Sequence, residues 1–108
     1  SESKKYWLVK EGERRVGVIY LTDIVLAQSA EFGVYVNPYE ARRGDGTLLS
    51  KAEIHIAFNI LKLPELKLTV LSSNGRARNL YLKLGFTEIT NSENVIKMII
   101  RNNVLQQS

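Results

Sequence analysis

The chain contains no cysteine. That absence removes a disulfide framework, a cysteine-ligated metal site and a covalent acyl-cysteine intermediate together. Its one histidine, His55, cannot assemble a metal cluster unaided. Long apolar runs are missing as well: the stretches at 16–21 and 54–60 are far shorter than the roughly 20 residues a membrane span requires. No basic segment followed by an apolar one opens the chain, so nothing marks it for secretion and the cytoplasm is the expected location. Methionine is absent before Met98, and the expectation is a natural start that is missing or processed.

What is present suffices for one packed domain over 1–108, since the 108 residues are 44% hydrophobic. Net charge is +4, with the basic residues spread as pairs such as Arg14-Arg15 and Arg42-Arg43. A mild basic excess suits a polyanionic partner, and a phosphate-rich small molecule fits as well as nucleic acid. A nucleic-acid-binding domain would present a basic face with exposed aromatics, and the dispersed charges here argue against one.

Along the chain, Tyr6-Trp7-Leu8-Val9, the turn Glu11-Gly12-Glu13 and the apolar run 16–24 predict an antiparallel hairpin. Tyr6 and Trp7 share one apolar run and are both expected in the core. A third strand ends at Asn37-Pro38, and Gly33 inside it predicts a bulge or a close backbone approach. Leu48, Leu49, Ala52, Ile56, Ile60 and Leu63 recur at helical spacing up to Pro64. Residues 66–71 alternate as a half-buried strand. Asn74 or Ser73 can cap a second helix with Ala77, Leu80, Tyr81 and Leu84 on its apolar face, closed by Gly85. Strands at 87–90 and 95–100 follow. The predicted order is β-β-β-α-β-α-β-β, an α/β chain with a mixed sheet and helices packed on it.

The segment Arg43-Gly44-Asp45-Gly46 lies between a strand and a helix, where backbone amides and the positive end of the helix converge on an anion site. Arg42 or Arg43 can add a charge-assisted contact. The nucleotide pattern G-x-x-x-x-G-K-[ST] is absent, and G-x-G-x-x-G fails at Leu49. Asp45 argues against crowded phosphates in the loop unless its side chain faces solvent.

Taken with Asn74-x-x-Ala77-x-x-x-Tyr81-x-x-x-Gly85-Phe86, the loop resembles the acetyl-CoA site of the GNAT acetyltransferase superfamily. The second motif matches in full, whereas the pyrophosphate loop departs at Ala41, where the family has Gln or Arg. The resemblance implies the GNAT fold lacking its first strand and first two helices, and acetyl-CoA as co-substrate without metal. Within the superfamily, Lys4-Lys5-Tyr6-Trp7-Leu8-Val9, Val16-Gly17-Val18-Ile19, the segment 31–38 and Ala57-Phe58 are similar to acetyltransferases of pseudaminic acid synthesis. That implies a UDP-linked amino-dideoxy sugar as acceptor, acetylated on its 4-amino group. A protein or small-molecule amine, and a truncated core that holds CoA without catalysis, are the alternatives.

The resemblance also assigns roles. Tyr81 stands where many GNAT enzymes carry a general acid, able to protonate the leaving thiolate. Glu31 is the candidate base, directly or through water. The pantetheine arm would pair with the backbone of Val34, Tyr35 and Val36 and of Leu71 where the two central strands splay, with amides freed at 32–34 by a bulge. Arg42, Arg43, Gly44, Asp45, Gly46 and Thr47 would hold the pyrophosphate. Asn74 and Ala77 would meet the pantetheine, Asn74 also capping its helix, and Arg78 and Lys83 the adenosine phosphates. His55 is expected to be a satisfied core or boundary residue. A sheet edge left by truncation would favour a homodimer.

Overall fold

The computed structural model describes residues 3–103. Six strands form one sheet: β1 (Lys5–Glu11), β2 (Arg14–Val25), β3 (Ser29–Val36), β4 (Glu65–Leu71), β5 (Thr87–Asn91) and β6 (Val95–Arg101), in spatial order β1-β2-β3-β4-β6-β5. Two helices, α1 (Asp45–His55) and α2 (Gly75–Leu84), make the crossovers. The order of elements is the one the sequence predicts.

Alternation along the strands puts apolar residues on one face. On β4 Leu66, Leu68 and Val70 are buried while Lys67, Thr69 and Leu71 are not. The buried face joins Leu21, Phe32, Phe86, Ile96 and Met98 to Ala57 and Phe58, which follow α1, and to Ala77, Tyr81 and Leu84 of α2. Both helices therefore pack on the same side. Each large side chain fully buried there contributes about 1.5–3 kcal/mol of transfer free energy. The opposite face is bare, and Tyr6 (62% exposed) and Tyr35 (59%) lie open on it. Tyr6 thus departs from the core expectation, because neighbouring residues of a strand face opposite ways: Trp7 packs inward and Tyr6 meets Tyr20, ring centroids 6.0 Å apart.

The long apolar stripe also breaks. After His55 the helix widens into a π-type turn, Ile56–Ile60, with Leu61 N donating to Ile56 O at 2.9 Å. The wider turn rotates the stripe off the sheet. Leu48 and Ile60, expected inside, are exposed. His55 is exposed too, with Asn59 Nδ2 and His55 Nδ1 2.8 Å apart.

The feature that positions the site is the meeting of β3 and β4. They are the sheet's one parallel pair, and their register covers only Ser29–Glu65, Ala30–Leu66 and Glu31–Lys67. Beyond Glu31 the strands part. No bulge occurs at 32–34: β3 pairs with β2 without a shift from Gly17–Val36 to Thr22–Glu31, and the irregularity falls between Thr22 and Val25. Gly33 is a close approach instead, since a Cβ there would stand 2.1 Å from the Tyr20 ring.

Candidate functional site

At the open end of that divergence, the loop before α1 and one side of α2 enclose a cleft of about 830 Å³. It is lined by Val36, by 41–47 and by Asn74, Arg76, Ala77, Asn79, Leu80 and Lys83. The two motifs, some thirty residues apart in sequence, therefore face one space.

The loop is shaped for an anion. Gly44 takes a left-handed conformation (φ 93°) at the N-cap of α1, and no side chain caps the helix. Leu48 N is already bonded to Gly44 O at 2.9 Å, whereas the amides of Gly46 and Thr47, in the first turn, have no intrahelical acceptor. Such amides, with the helix dipole behind them, favour phosphate. Arg42, Arg43, Arg76 and Lys83 add positive charge around the cleft.

Asp45 behaves differently from its sequence reading. Its side chain turns into the protein rather than to solvent, leaving the residue 5% exposed. Arg14, at the start of β2, donates to both oxygens, at 2.8 and 3.0 Å, and Arg42 N donates to Oδ2 at 2.9 Å. The Arg14 hydrogen bond, with the Arg42 amide second, holds the Asp45 carboxyl below the usual carboxylate range. The acid is neutralised from behind. Arg14 also donates to Glu40 O at 3.3 Å, so one guanidinium ties the β1–β2 hairpin to both ends of the loop.

On α2, Asn74 Oδ1 accepts from Ala77 N at 3.2 Å, which caps the helix at the cleft. Arg78, expected at the adenosine phosphates, is instead paired with Glu88 of β5 and lies outside the cleft, because its position on the helix turns it toward the sheet edge. Lys83 does line the cleft, together with Arg76 and Asn79, which the sequence expectations do not name, and with Ala41 and Leu80, which they place in the loop and on the apolar face of α2. The spacing of 76, 79, 80 and 83 describes one stripe of a helix and was available as a signal.

Tyr81 is half-buried at the base of the divergence, its ring edge-on to Phe32 (centroids 5.7 Å) and to Phe86 (5.8 Å). Burial first, then the charges of Glu53 and Tyr20, raise its pKa above the usual phenol value. Glu31 ends the β3–β4 pairing. Desolvation and then Asp23 raise its carboxyl, while Lys67 and Lys97 pull the other way. Val34 and Val36 pack against α1, while Tyr35 and Leu71 point to the bare face. Val36 alone of these four lines the cleft. The expected freeing of amides at 32–34 is corrected at Gly33, whose N–H donates to Glu53 Oε2 at 3.1 Å. Glu53, on α1 and fully buried, was not read from the sequence. Among the described residues, no group of His, Cys, Asp or Glu could hold a metal, and no helix is long and apolar enough to cross a membrane.

The chain is 40% identical over 85 residues to the acetyltransferase PseH of Campylobacter jejuni, covering 79% of this chain and 52% of that protein. It is 29% identical over 87 residues to a spermidine N(1)-acetyltransferase of Escherichia coli, covering 80% and 47%. The chain thus spans about half the length of the curated relatives it matches. The crystal structure of C. jejuni PseH in complex with acetyl coenzyme A superposes with a TM-score of 0.86 at 35% identity, covering 94% of this chain and 70% of that one. The model of the acetyltransferase (GNAT) family matches residues 1–86, and the chain belongs to that family.

Proposed function

We propose that residues 1–108 are the acetyl-CoA-binding portion of a GNAT enzyme that transfers acetyl directly to a primary amine, the 4-amino group of a UDP-linked amino-dideoxy sugar. The observation that carries this reading is the cleft shared by the glycine loop and α2 at the divergence of β3 and β4. Its fit to a CoA is chemical: uncapped first-turn amides and four cationic side chains suit a molecule with three phosphates, and the acid among them is already bound to Arg14. No metal takes part in this reading.

In the proposed reaction Arg42, Arg43, Gly44, Gly46 and Thr47 hold the pyrophosphate, with Asp45 shaping the loop. Arg76 and Lys83 meet the remaining phosphate, while Asn74, Ala77 and the backbone of 34–36 and Leu71 orient the pantetheine. Glu31 takes the proton of the attacking amine, directly or through water, and its raised pKa suits a base. The C–N bond forms as the C–S bond breaks. Tyr81 gives its proton to the departing thiolate and recovers one from solvent. Residues 1–108 contain no cysteine, so none of them forms an acyl-cysteine.

One observation favours a nucleotide-linked acceptor over a polyamine: identity is higher to PseH than to the spermidine enzyme. In full-length protein, thiol release from acetyl-CoA is expected to be faster with a UDP-amino sugar than with spermidine or a peptide amine at matched concentration. Faster turnover of spermidine would overturn the acceptor while sparing the transfer reading. Saturating CoA binding without thiol release for any amine would select a binding module.

The cofactor half has its own check. CoA at 100 times its Kd is expected to stabilise the fold by about 2.7 kcal/mol through linkage, with ATP and NAD well below that. Equal rises in Tm from all three would reduce the cleft to a general phosphate site.

A further inference from the structure

Glu53 is a buried acid that the proposed reaction does not use. It sits on α1 between Leu49 and Ala57, each four residues away and all three fully buried, so the helix carries its carboxyl into the core. Oε2 accepts from Gly33 N at 3.1 Å, while Oε1 has no partner. Gly33 lies two residues beyond Glu31, the last β3 residue paired with β4. Phe32, between them, packs edge-on to Tyr81. One carboxyl thus holds the backbone where the central strands part and beside the ring that bears the proposed acid.

We propose that Glu53 is a positioning residue for the transfer step: by taking the Gly33 amide it fixes the course of β3 past its last contact with β4, and with it the alignment of the thioester against Tyr81. This rests on the acetyltransferase reading above. An orphan oxygen in the core is destabilising, and an apolar residue would pack there without that cost. Burial pushes the Glu53 pKa up to about 9, against the opposing Gly33 amide. The folded protein therefore holds a proton the unfolded chain has released, and this group's contribution to stability falls as pH rises from the ordinary carboxylate range to about 9. The titratable groups whose charges reach Tyr81 of α2 are Glu53 of α1 and Tyr20 of β2.

The test compares Glu53→Gln and Glu53→Leu in full-length protein. The glutamine keeps an acceptor for Gly33 and cannot ionise, so kcat at pH 7 is expected to stay near the parent value. The fall in Tm between pH 5 and 9 should flatten. The leucine removes the acceptor but fills the space: CoA affinity, set at the glycine loop, should hold, while kcat drops by about 100-fold through misalignment. Amide exchange at Gly33 should accelerate in the leucine variant alone, a readout independent of turnover. Parent-like kcat and Gly33 protection in a folded leucine variant would overturn the proposal. If the leucine variant does not fold, exchange of the Gly33 amide in the parent protein as fast as that of a solvent-exposed amide would overturn it. Absence of thiol release in the parent protein would instead sink the transfer reading, and Gly33 exchange would still decide the role of Glu53.

Discussion

Tyr81→Phe in full-length protein is expected to bind CoA as the parent does and to turn over about 100-fold to 10,000-fold more slowly, the range general acid catalysis ordinarily supplies. The substitution removes one oxygen and leaves the ring, whose edge-on contacts with Phe32 and Phe86 hold that side of α2 to β3. Stability should therefore change little. Burial, with Glu53 and Tyr20 adding to it, raises the phenol pKa, so the hydroxyl carries its proton throughout the neutral range and is ready to donate it. If the alkaline limb of the kcat profile reports this group, it should vanish in the variant. Stopped thiol-release kinetics, calorimetric titration with CoA and thermal unfolding together check the prediction. Unchanged kcat in a folded, CoA-binding variant would assign the proton to solvent and return Tyr81 to the core.

Gly46→Val is expected to weaken CoA binding at least about 100-fold, some 2.8 kcal/mol, while Tm stays near the parent value. The two effects separate because the fold has room where the ligand does not. A Cβ at Gly46 would meet only Leu80 Cδ2, at an ordinary 3.6 Å. Its side chain would project into the cleft beside the first-turn amides of α1. Gly44 provides the contrast, since its φ of 93° strains any side chain and a valine there would disturb the loop itself. Titration with CoA alongside thermal unfolding distinguishes exclusion from unfolding. Retained affinity in a folded Gly46→Val protein would mean that the ligand lies elsewhere.

The order of elements was legible because it rests on local signals. Alternation at 66–71, the Asn74 cap and the left-handed Gly85 after Leu84 are each set within a few residues, and each stands in the structure where the pattern puts it. The family motif was legible for the same reason, since its spacing is that of one helix. The partners of buried charge were not. Arg14 and Asp45 are thirty-one positions apart, Gly33 and Glu53 twenty, and no periodicity joins them. The acid at 53 did carry a trace, standing four residues from both Leu49 and Ala57, but the apolar count took in Leu48, Leu49, Ala52, Ile56, Ile60 and Leu63, of which Leu48 at the start of the helix and Ile60 in the π-type turn are exposed. By itself the sequence determined the secondary structure, the glycine loop and the helix that would meet a CoA. Tertiary structure decided that β3 and β4 pair over three residues and then part, that Asp45 turns inward to Arg14, and that Gly33 gives its amide to Glu53. The physical reason is that hydrogen bonds within an element are fixed by residue spacing, whereas a buried polar group takes whichever partner packing brings to it.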